Sequence, residues 1–205
     1  MRPALTHLLY LHGFRSSPHS TKARMLAHAV SPQQLGERAP QWACPQLPPS
    51  PAQAAADIRA LIAGWPVDSM MVVGSSLGGF YATWVAELTG CEAVVINPAV
   101  APARDLAKHI GQQSQFHDPT DTFFFRAEFI DEFRALAPYP IRHADRYHAL
   151  ITTGDEVLDW REMRASYQGA DIALVEGSDH AVTDFASHLP TVLRWLRMAP
   201  QAGLG

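Results

Sequence analysis

Met70-Met71-Val72-Val73-Gly74-Ser75-Ser76-Leu77-Gly78-Gly79 joins a short apolar, partly β-branched run to an amphipathic stretch of helix formers. A serine on so sharp a strand-to-helix turn has strained backbone angles. The residues two before and two after it must lack a Cβ if strand and helix are to approach each other. Gly74 and Gly78 meet that requirement for Ser76, and the spacing does not centre on Ser75. By composition a chance Gly-x-Ser-x-Gly arises in roughly one chain of this length in twenty, so the pentapeptide alone is weak. Its placement after a strand and before a helix makes Ser76 a candidate nucleophile.

Working outward, short apolar runs alternate with amphipathic stretches, the pattern of βα units around a mainly parallel sheet. Strands are predicted at 8–11, 41–44, 70–73, 93–96, 149–153 and 172–175, six in all. Helices are predicted at 20–30, 52–63, 79–89, 162–167 and 182–198. Pro45, Pro48, Pro49 and Pro51 make the segment before 52 an irregular loop. From 99 to about 140 strand signals vanish. A short helical insertion is predicted there, enclosing Phe123, Phe124, Phe125, Phe129 and Ile130. These aromatics are either the core of a packed insertion or a lid whose Phe123, Phe124 and Phe125 contact an acyl chain and dry the site.

A hydroxyl nucleophile needs a base within hydrogen-bond reach and a third group to orient that base. After the strand at 149–153, Gly154-Asp155-Glu156-Val157 puts a carboxylate on a turn at the C-terminal edge, where open α/β sheets gather their sites. After the last strand, Glu176-Gly177-Ser178-Asp179-His180 does the same for an imidazole. Ser76, Asp155 and His180 therefore form the candidate catalytic set, in the order serine, acid, histidine. Asp159 is the rival acid, and Asp179 should point away. Two backbone N–H groups should meet a developing oxyanion: that of Leu77, following the nucleophile, and that of Phe14 in the loop His12-Gly13-Phe14-Arg15. His12 is expected to brace that loop rather than transfer protons.

These residues carry a resemblance. Leu9-Tyr10-Leu11-His12-Gly13-Phe14-Arg15-Ser16-Ser17-Pro18, Gly74 to Gly79 with Phe80-Tyr81-Ala82-Thr83, Ile96-Asn97-Pro98-Ala99-Val100, Thr153-Gly154-Asp155-Glu156-Val157-Leu158-Asp159 and Asp179-His180-Ala181 together resemble the YqiA-like bacterial esterases. These are small members of the α/β-hydrolase superfamily. The resemblance implies a minimal α/β-hydrolase fold with about six mainly parallel strands and helices on both faces. It also implies carboxylic ester hydrolysis, with Ser76, Asp155 and His180 at the positions of the family's triad. Few residues precede the first strand, so the two antiparallel leading strands of the full superfamily plan are expected to be missing.

The bulk numbers narrow the function. At 205 residues, one domain spanning 1–205 is expected, with 99–140 as a lid-like insertion. A net charge of −4 offers no basic field for nucleic acid. No run approaches the roughly 18 apolar residues of a membrane span, and the opening residues are too short for a signal-peptide core, so a cytoplasmic location is expected. Cys44 and Cys91 lack metal-ligand spacing and are read as reduced thiols. The histidines show no HExxH spacing, so neither metal nor organic cofactor is called for. The expected substrate is a small-molecule ester of a short to medium acyl chain. An acyl thioester is the close alternative, and an inactive hydrolase fold serving as a binding module is the alternative of another class.

Overall fold

The computed structural model describes residues 3–198. The ends of the domain expected over 1–205 lie outside the described residues. Along the chain run β1 (His7–Leu11), α1 (Thr21–Ala29), α2 (Pro32–Leu35), β2 (Gln41–Ala43), α3 (Pro51–Leu61), β3 (Met70–Ser75), α4 (Leu77–Thr89), β4 (Glu92–Ile96) and α5 (Pro102–Asp105). There follow β5 (Gly111–Ser114), β6 (Thr122–Phe125), α6 (Glu128–Leu136), β7 (Tyr147–Thr152), α7 (Trp160–Ser166), β8 (Asp171–Val175) and α8 (Phe185–Trp195). Six strands form one sheet in the order β2-β1-β3-β4-β7-β8, every neighbouring pair parallel. This is the expected hydrolase-type sheet.

The strands read as continuous apolar runs because both faces are covered. Alternation still sorts their side chains. Leu9, Leu11, Met70, Val72, Ala93, Val95, Ala149 and Ile151 face one core, shared with residues of α3, α4, α6 and α7. Leu8, Tyr10, Met71, Val73, Val94, Ile96 and Leu150 face the other, under α1 and α8. The chain runs from β1 outward to β2, then returns to place β3 on the other side of β1. The crevice at the carboxyl ends of β1 and β3 is thus the switch point at which such sheets bind ligands.

Three local expectations are corrected. Pro51 does not break structure: it is the first residue of α3, where a missing N–H costs nothing, and the Ser50 hydroxyl caps the helix by accepting from Gln53 N. More consequentially, the insertion at 99–140 is not purely helical. β5 and β6 pair antiparallel, Gln112 opposite Phe124, between the short α5 and α6. The helical half is core. Phe129, Ile130 and Phe133 of α6 are buried against the sheet-face cluster, with Phe133 edge-on to Phe80 at 5.6 Å. The last helix also starts later than predicted, at Phe185, because Val182 takes a positive φ of 50° and turns the chain.

Candidate active site

Ser76 stands between β3 and α4 with φ 56° and ψ −122°, a strained conformation for a residue with a side chain. It persists because its surroundings over-determine it. A Cβ on Gly74 would come within 2.1 Å of the Gly78 carbonyl oxygen, and one on Gly78 within 1.9 Å of the Leu11 carbonyl oxygen. Ser76 N donates to Ile96 O at 3.0 Å, and Ser76 O accepts from Gly79 N and Ala99 N. The turn is therefore pinned between β1 and β4, with the hydroxyl raised above the sheet.

The structure brings Asp155 and His180 to that hydroxyl. Ser76 Oγ and His180 Nε2 are 2.9 Å apart, and His180 Nδ1 lies 2.7 Å from Asp155 Oδ2. A carboxylate can only accept here, so Nδ1 carries the hydrogen and Nε2 is left to accept from Ser76. The Asp155 side chain is fully buried and that of His180 is 18% exposed. Asp155 Oδ1 accepts from Val157 N and Leu158 N, both at 2.8 Å, which fixes the carboxylate's rotation. The rival Asp159 instead caps α7, accepting from Arg161 N. Asp179 turns away, as expected, to accept from Thr183 N.

Several features that align the two loops were not apparent from sequence. Gly154 lies against the imidazole loop so closely that a Cβ would meet Ser178 O at 2.1 Å, and Gly154 N donates to Gly177 O. Asn97, fully buried just after β4 with φ 41°, donates through Nδ2 to Thr152 Oγ1, Asp179 O and His180 O, and its Oδ1 accepts from Thr152 N. Asn97 thus ties the strand preceding Asp155 to the backbone of His180. Glu156 accepts from His180 N at 2.9 Å.

The Leu77 N–H opens α4, where helix geometry leaves it without an intrahelical acceptor. The Phe14 N–H donates to no acceptor among the described residues. Between them runs the loop braced by His12. Its Nε2 accepts from Leu47 N at 3.1 Å, so its Nδ1 carries the hydrogen and donates to Gly13 O at 2.9 Å. Burial holds the His12 pKa below its usual 6.5, in keeping with this neutral, accepting role.

Ser76 and His180 open onto two cavities. One, about 370 Å³, is walled by Ala99, Pro102, Leu106, Val157 and Leu158; the other, about 360 Å³, is lined by Ser16, Ser20, Thr21, Lys22 and Thr183. Phe116 and Phe14 border both. The expectation that Phe123, Phe124 and Phe125 contact an acyl chain is corrected by strand alternation. Phe123 and Phe125 turn inward and pack edge-on against Phe14, at 5.9 and 5.3 Å, around a void of only about 30 Å³. Phe124 points outward and is 62% exposed. The insertion reaches the site through Phe116 instead, on the β5–β6 connection. Its N–H donates to Arg15 O, its ring lies 4.3 Å from the Arg15 guanidinium carbon, and Arg15 Nε donates to Ser114 O.

The model described as an uncharacterised protein family, UPF0227, matches residues 7–197. Among solved structures, the metagenome-derived lipolytic enzymes LipS and LipT are matched at a TM-score of 0.68 and 18% identity, over 95% of each chain. Mouse alpha/beta hydrolase domain-containing protein 10 is matched at 0.67 and 14% identity, over 93% of this chain and 90% of that one. Est1E from Butyrivibrio proteoclasticus is matched at 0.65 and 14%, over 95% and 90%. At these identities the likeness concerns the fold, which is that of the α/β hydrolases. No helix among the described residues is long and apolar enough to cross a membrane.

Proposed function

The chain belongs to the UPF0227 family, and from that premise we propose that it is a serine hydrolase cleaving short to medium acyl carboxylic esters through Ser76, His180 and Asp155. The single observation carrying this reading is the continuous hydrogen-bonded chain from Ser76 Oγ through His180 to the buried Asp155 carboxylate. Such a chain activates a hydroxyl that is otherwise a poor nucleophile.

In the first half-reaction Ser76 Oγ forms a bond to the acyl carbon, and its proton passes to His180 Nε2. Asp155 stabilises the resulting imidazolium, while the Phe14 and Leu77 N–H groups hold the oxyanion. The bond to the alcohol oxygen then breaks and that oxygen leaves with the proton from His180. In the second half-reaction water gives its proton to His180, its oxygen attacks the acyl-Ser76 carbonyl, and the acid is released with the proton returned to Ser76. The apolar cavity supports acyl binding, and its volume of about 370 Å³ suits chains of modest length.

The test is hydrolysis of esters of graded acyl length, each paired with its thioester, by wild type and Ser76→Ala. The reading expects turnover greatest at short to medium chains and lowered by about 10⁶ in Ser76→Ala. Faster turnover of the thioester members would assign the protein to thioesters. Undiminished turnover in Ser76→Ala, or none by folded wild type, contradicts the reading.

A further inference from the structure

The two cavities differ in what they offer a substrate, and the cycle proposed above says which half of the ester each receives. With the carbonyl oxygen held by Phe14 and Leu77, the acyl chain and the leaving group must point into different cavities. Microscopic reversibility requires the deacylating water to approach where the leaving group departed. The more polar of the two cavities, with Ser16, Ser20, Thr21, Lys22 and Thr183 among its lining residues, is therefore the leaving-group side.

That cavity holds one lysine and no carboxylate among its lining residues. Lys22 is half-buried, and its ammonium donates one hydrogen bond, to Ala181 O beside His180. An ammonium has three donors, and no carboxylate forms an ion pair with this one among the described residues. Asp155 is engaged with His180, Val157 and Leu158, and Asp179 with Thr183, so both act on Lys22 only through space. Burial pushes the Lys22 pKa down to about 8 despite them. A half-desolvated cation with two unused donors is poorly matched until an anion arrives. The apolar cavity makes no such offer. Its charged groups do not present a half-buried cation: Asp105 is an anion whose Oδ1 accepts from Arg104 and whose buried Oδ2 has no partner among the described residues, Arg15 is committed to Ser114, Lys108 is exposed, and burial holds His109 below its usual pKa.

We propose that Lys22 is a specificity-determining residue that recognises an anionic group, carboxylate or phosphate, carried on the alcohol or thiol half of the substrate. This inference rests on the hydrolase reading.

Its test uses three esters of one acyl chain, whose alcohol halves are neutral, carboxylate-bearing and phosphate-bearing, hydrolysed by wild type, Lys22→Met and Lys22→Gln. Gln retains a donor for Ala181 O without the charge. Wild type is expected to favour at least one anionic ester over the neutral one by about ten- to hundredfold in kcat/KM, and both variants are expected to bring that ratio close to one. The two anionic arms separate carboxylate from phosphate recognition. Equal treatment of the three esters by wild type overturns the inference and leaves the hydrolase reading standing. So does an equal loss on all three in the variants, which would make Lys22 only a brace for the Ala181 carbonyl. Hydrolysis of none of them by folded wild type would overturn both.

Discussion

Two regions close over Ser76 and are built in opposite ways. The loops carrying Asp155 and His180 leave adjacent strand ends, β7 and β8, and are locked to each other by backbone contact at Gly154 and by the buried Asn97 amide. The β5–β6 hairpin is anchored by Phe123 and Phe125 of β6, but its tip is held only through Arg15, by the guanidinium on Ser114 and the Phe116 ring and by the carbonyl on Phe116 N, and Phe116 is 70% exposed. The difference separates two demands. A group that must sit within hydrogen-bond reach of a reacting atom is placed on rigid strand ends. A group that only walls a cavity tolerates a looser mount.

If that contrast holds, substitutions on the two sides should differ in kind. The largest effect belongs to Asp155→Asn, which keeps the volume but spoils the imidazole's tautomer. It should lower kcat on the order of 10⁴-fold with little change in KM, measured by steady-state kinetics. Next is Asn97→Ala, which strips partners from Thr152 N and from the carbonyls of Asp179 and His180. Asp179 O keeps Thr152 Oγ1, but Thr152 N and His180 O are left unmet; at about 1–3 kcal/mol each, and about 2–4 °C per kcal/mol in a chain of this size, the melting temperature should fall on the order of 10 °C, and kcat should fall without any shift of its pH profile. Phe116→Ala should act on the looser side alone, raising KM about fivefold for acyl esters with kcat retained. Phe124→Ala, one strand residue outward, should do neither. A kcat loss in Phe116→Ala comparable to that of Asn97→Ala would erase the distinction.

The smallest effect is a pH dependence of stability. The folded chain holds His12 below its unfolded pKa of 6.5, so only the unfolded chain takes up that proton just below pH 6.5. Stability from this site is flat above 6.5 and is lost as pH falls toward the lower folded value. Thermal melts of wild type and His12→Gln between about pH 7 and 5 should show a shallower acid slope in the variant. Equal slopes would remove His12 from the account.

What could be read from the chain follows the same division. Ser76, Asp155 and His180 were legible because each sits on a local signal: glycines flanking a turn, or a polar residue just past an apolar run. The six parallel strands were legible for the same reason. Phe116 and Lys22 gave no such signal, since their nearness to Ser76 depends on a hairpin and on helix α1 arriving from elsewhere in the fold. The hairpin was missed because Gly111-Gln112-Gln113-Ser114 has neither alternation nor β-branched residues. Nothing in the spacing around Asn97 points to its four hydrogen bonds, which join segments 55 to 83 residues apart.

The most direct measurement is reaction with a fluorophosphonate followed by mass mapping of the adduct. One adduct per chain is expected, on Ser76, absent in Ser76→Ala and formed far more slowly in His180→Ala. Modification at another serine, or none in protein shown to be folded, would contradict it.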